Sequence, residues 1–414
     1  MESSRGRRIF YGWILVAAAF CMGFVTTGFY FYSRGIFLKP IAEDFGGSRF
    51  DLSLGFTIAG IVSSLVAPLM GYIVDHYPIR RIMTIAAIWL GLGYFALSLS
   101  YDKWTLFIAL GLFISLGQPP LSAYSVPKLM VNWFTRRRGM ALAIVAMGGS
   151  ISGVFMPAIA TWLIESFTWR GGFMVYGVGT IIIIVPLVLL LVREKPQDMG
   201  LLPDGSTQEQ EEAAPYDERD ERVWTTKESL RSPSFWSILL IFGMMGSIFG
   251  AILTHFYAHL TDIGIGNLEA SYILSATAFM AMAGKPVFGW MVDRFEPRFA
   301  VGISIFVQIV SVAFMLWFTN YWLLLIAGIL FGAGYGGMVP LRNAVTANTF
   351  GRRSFASVSG LMRPWQIPLI PLGLPLAGWA FDTYGSYYYA YLIFIGFYAL
   401  SAFGLLFLKP PRRA

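Results

Sequence analysis

Apolar residues along this chain do not alternate with polar ones; they run in blocks. Six blocks lie at 10–32, 51–74, 82–100, 104–130, 139–164 and 173–192. Six more lie at 235–260, 270–292, 300–318, 322–347, 356–381 and 388–408. A helix of about 20 mostly apolar residues spans the hydrocarbon core of a bilayer. The pattern therefore predicts an all-α membrane protein with twelve transmembrane helices. One long polar stretch interrupts it. It contains QEQEEAAPYDERDER, which is acidic and too poor in apolar residues to fold. This divides the chain into a six-helix bundle at 1–192, a linker at 193–232 and a second six-helix bundle at 233–414. Thr225 and Glu228 have capping-box spacing, which predicts a short surface helix just before the seventh span.

The two sets of blocks repeat. Gly71-x-x-x-Asp75-x-x-x-x-Arg80 recurs 218 residues later as Gly289-x-x-x-Asp293-x-x-x-x-Arg298. Phe134 and the basic cluster after it return as Phe350 before Arg352 and Arg353. A duplicated six-span unit is the plan of a two-bundle transporter whose site lies between pseudo-symmetric halves.

Composition agrees: 56% of residues are hydrophobic and only 13% charged, with a mean hydropathy of +0.64. The net charge of +7 does not point to nucleic acid, because Lys and Arg sit in short runs beside apolar blocks. Arg5, Arg7, Arg8, Arg80, Arg81, Arg136, Arg137 and Arg138 fall on one side, as do Arg294, Arg298, Arg352, Arg353, Arg412 and Arg413. Arg34, Lys39, Arg49, Lys103 and Arg170 fall in the sparser loops of the other. By the positive-inside rule both termini and the linker are cytoplasmic. The one cysteine, Cys21, excludes an intrachain disulfide. The basic start resembles a signal peptide, but its apolar run continues past Tyr30, so a retained first span is expected.

Charges inside spans are costly and mark function. Lys285 lies eight residues before Asp293, well inside the eighth block, and Arg363 lies ten residues beyond Arg353 in the eleventh. Lys128 and Arg342 sit closer to the cytoplasmic edge, where snorkelling or structural pairing would also explain them. Asp51, Asp75, Glu165, Asp262, Glu269, Asp293 and Asp382 all lie at or near block ends, so the apolar middles contain no carboxylate. A buried cation without an anionic neighbour is expensive, and an anionic solute would complete the site. Arg363 offers a bidentate fork and Lys285 a point charge. His255, His259 and Asp262 share one helix face of the seventh block and are candidate proton carriers, or simply line a vestibule. No third clear ligand supports a metal there. Helix breakers mark corresponding places in the fourth and tenth blocks. Gly117, Pro119, Pro120 and Pro127 surround Tyr124; Gly332, Gly334, Gly336, Gly337 and Pro340 surround Tyr335. Either tyrosine could position a small carboxylate or only pack; Tyr30, Tyr32 and Trp365 are weaker candidates.

The Gly71–Arg81 segment resembles the loop signature of the major facilitator superfamily. Within it the chain is similar to the monocarboxylate transporters and the bacterial oxalate:formate antiporters. The similarity rests on Tyr11-Gly12-Trp13, on the Asn132–Ala143 segment entering the fifth span, on Lys195-Pro196 and on Ser232-Pro-Ser-Phe-Trp236. The resemblance implies the major facilitator fold and a cytoplasmic latch. Gly71 and Gly289 would let helices approach. Asp75 with Arg81, and Asp293 with Arg298, would pair, with Arg80, Lys128 and Arg342 nearby. In monocarboxylate transporters an arginine precedes a proline on span 8 with an acid one turn earlier. Here Lys285 precedes Pro286 and the preceding turn has no acid.

The reading is a proton-coupled carrier of small organic anions such as lactate or pyruvate, working by alternating access as a monomer in the inner or plasma membrane. It uses no cofactor or metal, binds no nucleic acid and is not an enzyme. Anion exchange is the alternative; drug efflux is disfavoured by the unpaired cations.

Overall fold

The computed structural model describes residues 10–134, 137–202, 204 and 224–408. The side chains of Pro68, Asp75, Arg138, Gly139, Asp293, Arg352, Arg353, Phe355, Ala356, Ser357 and Arg363 lie outside that description. Three predicted site residues, Asp75, Asp293 and Arg363, are among them.

Before the linker the chain forms α1 (Tyr11–Thr27), α2 (Arg34–Phe45), α3 (Arg49–His76), α4 (Ile79–Ser98) and α5 (Lys103–Ile108). There follow α6 (Ser115–Pro119), α7 (Ser125–Trp133) and α8 (Arg138–Leu191). After it come α9 (Thr226–Arg231), α10 (Pro233–Asp262), α11 (Asn267–Arg294), α12 (Pro297–Trp317) and α13 (Tyr321–Gly336). The last are α14 (Met338–Phe350), α15 (Arg352–Gln366), α16 (Gly373–Tyr384) and α17 (Tyr388–Gly404). There is no strand among the described residues, as a bilayer demands of any segment that must satisfy its backbone locally. Nine stretches of the described chain are long and apolar enough to cross a membrane. The longest, Met140–Leu191, has 52 residues, enough for two crossings. Thr168, at φ 64° and ψ 171°, breaks α8 in the turn expected between the fifth and sixth spans.

Local chemistry sets the helix ends. Ser48 caps α3 by accepting from the Asp51 N–H at 2.9 Å. Asp102 caps α5 through the Thr105 N–H, and the Thr105 hydroxyl bond holds its carboxyl below the usual range. The predicted capping box forms at α9: Thr225 and Glu228 satisfy each other's N–H groups. Between α1 and α2 the chain does not leave the helix. Gly28–Tyr32 winds as a π-helical turn, and two more interrupt the fourth span: Ala109–Ile114, and Pro120–Tyr124 at its prolines. Such turns mark functional stretches. They replace the expected straight spans with bent rods.

The helix α10 is apolar all round, and 89% of its most apolar window is buried, against 28–56% in the other spanning stretches. It is the central rod. On one side it packs on α2, from before the linker, and on the other on α16 and α17. The first rod of α8 faces α11, and α3 faces α16. These contacts join residues before the linker to residues after it, and they frame the site.

Candidate functional site

The face opposite the linker is closed by paired charges from both halves. Arg49, 7% exposed, forms a two-pronged pair with Asp262, one prong at 2.9 Å. Lys39 Nζ lies 3.0 Å from the same carboxylate. The Arg49 guanidinium also donates to the Tyr387 hydroxyl at 2.7 Å and sits 3.7 Å over the Phe381 ring. Asp382 accepts from the backbone N–H groups of Arg49 and Phe50, at 3.0 and 2.8 Å. These N–H groups open α3 and have no partner within their own helix, so a carboxylate from the other half caps them. His255 lies in the same seam, 2% exposed. Its Nε2 lies 3.1 Å from the Leu374 carbonyl and 2.9 Å from Ser53 Oγ, and its Nδ1 lies 3.1 Å from the Tyr387 hydroxyl. Asn267 donates to Glu165 at 2.9 Å. Two glycines let the backbones meet here. A Cβ on Gly35 would sit 2.6 Å from the Thr254 carbonyl oxygen, and one on Gly378 2.7 Å from that of Arg49.

The middle of the molecule is different. Two cations, the buried Arg34 and the half-buried Lys285, one from each half, have no carboxylate in reach among the described residues. Lys285 Nζ donates to Ser150 Oγ at 2.5 Å, across from α11 to α8. Arg34, 8% exposed, donates to the Gly250 carbonyl at 3.1 Å, across from α2 to α10. Its guanidinium lies 4.6 Å over Phe31, and its Nε makes no hydrogen bond. Arg34 and Gly250 are 216 residues apart, close to the repeat offset, so equivalent places of the two halves meet. A void of about 20 Å3, the size of one water, touches Arg34, Tyr30 and Tyr94.

Toward the linker the halves separate around a cavity of about 650 Å3, lined by Gly60, Ser63, Ser64 and Tyr124 on one wall and Gly360, Pro364 and Gln366 on the other. The volume suits a small organic solute.

The predicted residues sort accordingly. Tyr124 lines the cavity. Tyr335 stacks face to face on Phe249, ring centres 3.4 Å apart. Tyr32 reaches the close approach of α8 and α11 at Gly153. Arg363 belongs to α15, between Gly360 and Pro364 of the cavity wall. His255 and Asp262 join the closed seam, and His259 packs edge-on against Tyr387 and Tyr391. Lys128 Nζ donates to the Val74 carbonyl at 2.6 Å, near the end of α3. Arg80 is exposed and donates to the Leu189 carbonyl; Arg81 is exposed and Arg342 half-buried. Arg298 Nε lies 3.4 Å from Glu296. A Cβ on Gly71 or Gly289 would meet nothing within 4 Å. Neither glycine serves a close approach here, because the cavity holds the halves apart on that side.

Two residues need correction. Arg34 and Arg49 were read as loop cations of the sparser face, yet both are buried. The first span does not stop at Tyr32; the π-helical turn carries it on into α2, so Arg34 lies inside a helical run. Ser150 carried no sequence signal as a cation's partner.

Two helical halves, sealed on one face, parted on the other and holding between them cations with no carboxylate partner among the described residues, define a membrane carrier. A profile of the Major Facilitator Superfamily matches residues 18–363 and 257–414, and the chain belongs to that family of transporters. It is 24% identical over 423 residues to Monocarboxylate transporter 12 of Xenopus laevis, covering 96% of this chain and 87% of that protein. It is 24% identical over 406 residues to Monocarboxylate transporter 2 of Homo sapiens, covering 92% and 82%. Among solved structures, an inward-facing, occupied bacterial homolog of the human lysosomal transporter Spinster superposes with a TM-score of 0.72 at 16% identity, covering 97% of each chain. The nucleoside transporter NupG does so at 0.72 and 13%, covering 97% of this chain and 99% of that one. The protein is thus a multi-pass membrane transporter of the major facilitator fold.

Proposed function

We propose that this transporter moves small organic anions, monocarboxylates of the lactate and pyruvate kind, by alternating access. One observation carries the reading: the half-buried Lys285 and the buried Arg34, from opposite halves, have only neutral partners among the described residues. A carboxylate between them would replace two contacts to neutral oxygens with full ion pairs. Arg363, in the same helix as Gly360 and Pro364 of the cavity wall, is retained as a further anion-binding cation, and Tyr124, Tyr335 and Tyr32 as positioning groups. The relatives named monocarboxylate transporters support the same substrate class.

Access alternates between the cavity and the charged seam, which must part for the other face to open. We place the linker face in the cytoplasm, from its arginine excess, in the inner or plasma membrane, with the monomer as the working unit. The coupling ion in this reading is the proton. His255, His259 and Asp262 are its candidate carriers, facing Arg49, Lys39, Asp382, Tyr387 and Tyr391. Opening the seam removes Arg49 and Lys39 from Asp262, so proton binding and the open face are linked.

The test is lactate uptake into liposomes with and without an imposed pH gradient, then with internal lactate. Acceleration by the gradient supports symport. Uptake that requires internal anion and ignores the gradient makes the protein an exchanger. Uptake of only cations or neutral solutes overturns the anion reading.

A further inference from the structure

We propose that Ser150 is the resting partner of Lys285, and that the transported carboxylate displaces it. This rests on the anion reading above and assigns a residue and a step within it. Ser150 is 7% exposed, on the first rod of α8, and Lys285 is on α11. Their contact joins the two halves at 2.5 Å. The serine hydroxyl points its own proton at the Ala146 carbonyl, 3.4 Å away on its own helix. Its lone pairs are therefore free to accept from the ammonium. An ammonium has three donors and one positive charge. A hydroxyl satisfies one donor and none of the charge.

A carboxylate entering from the cavity satisfies more donors and the charge, so Lys285 exchanges partners when cargo arrives. The exchange breaks a bond between the halves. Arg34 is held in the mirrored way, from the first half onto the Gly250 carbonyl of the second. The empty carrier is thus fastened at its centre by its own substrate-binding cations, each resting on a neutral acceptor of the other half. Cargo binding unfastens at least the Lys285 tie, which eases rocking of the loaded halves, while a tie to a neutral oxygen is weak enough to part when the empty carrier returns. A carboxylate at Ser150 would compete with the cargo for the charge of Lys285, which a hydroxyl does not.

The experiment uses the full chain in lipid nanodiscs, with lactate as the probe. Spin labels sit on the face opposite the linker, at Gly47→Cys and Leu268→Cys, in a Cys21→Ser background. In the ligand-free protein Ser150→Ala broadens the distance distribution between the labels, and lactate broadens the Ser150 protein in the same way. In calorimetric titration Ser150→Ala binds lactate about tenfold tighter, since a hydrogen bond to a charged group no longer competes. Ser150→Thr, which keeps the hydroxyl, behaves as Ser150 does, and Ser150→Asp loses lactate binding at least tenfold. A merely structural serine would weaken binding or leave it unchanged. An unchanged ligand-free distribution in Ser150→Ala, or weaker lactate binding, overturns the proposal. If lactate fails to bind the Ser150 protein while Ser150→Ala still broadens the distribution, the tie stands and the anion reading falls.

Discussion

The closed seam and the centre of the molecule both hold buried cations, yet they handle them in opposite ways. Arg49 meets Asp262, a tyrosine hydroxyl and an aromatic ring. Lys285 meets one neutral oxygen, and Arg34 one neutral oxygen and the Phe31 ring, with no carboxylate for either among the described residues. A charge with a full set of partners contributes to the structure and to the state it holds. A charge left under-compensated costs several kcal/mol unless a ligand completes it. The comparison separates two roles that identical residue types would otherwise hide: in the proposed reading the seam holds one face shut and the centre binds the cargo.

Removing the central cations should break the comparison most severely. Lys285→Ala and Arg34→Ala are each expected to lower anion uptake roughly 100-fold or more, with folding intact by thermal melting of the purified protein. Near-normal transport by either would strip that cation of its role. The seam comes next. Arg49→Ala leaves Asp262 with Lys39 alone and should cost the closed seam about 2 kcal/mol. That is less than for a fully dry pair, because the Asp262 side chain is 21% exposed. Spin-label distances across that face would then lengthen, and lactate binding should survive. A seam that stays shut would show that apolar packing, not charge, closes it.

Asp382→Asn keeps one acceptor for the Arg49 and Phe50 N–H groups but loses the charge. The expected effect is about 1 kcal/mol in the same direction. A double-mutant cycle with Arg49→Ala measures whether the two contacts are one unit. The smallest effect belongs to Lys103→Ala. Its pair with Asp51 lies within one half, with the lysine side chain 42% exposed. Such pairs contribute less than about 1 kcal/mol, so uptake and label distances should be unchanged. A large effect would place that pair in the gating machinery.

Much of this was legible in the order of residues, and the misses have identifiable causes. Lys285 stands out because a single cation inside a long apolar block is rare. The thinness of carboxylates in block middles was also readable, and it underlies the proposal of an anionic cargo. Arg34 was hidden by its position two residues past an apolar block, where hydropathy marks a loop. Only the π-helical turn at Gly28–Tyr32 puts it back inside the rod. His255 was legible as a titratable group in a span, but not as a member of a seam. Its partners at 53, 374 and 387 lie far away along the chain.

The sequence alone determined the solvent and the class. A chain this apolar must sit in a bilayer, where each span satisfies its own backbone as a helix, and the repeated ending implied two related halves. Only the tertiary structure decided which charges are partnered. Pairs such as Arg49 with Asp262, or Lys285 with Ser150, join residues more than a hundred positions apart. No local pattern encodes such pairs, because they form only when the helices of two halves pack against each other.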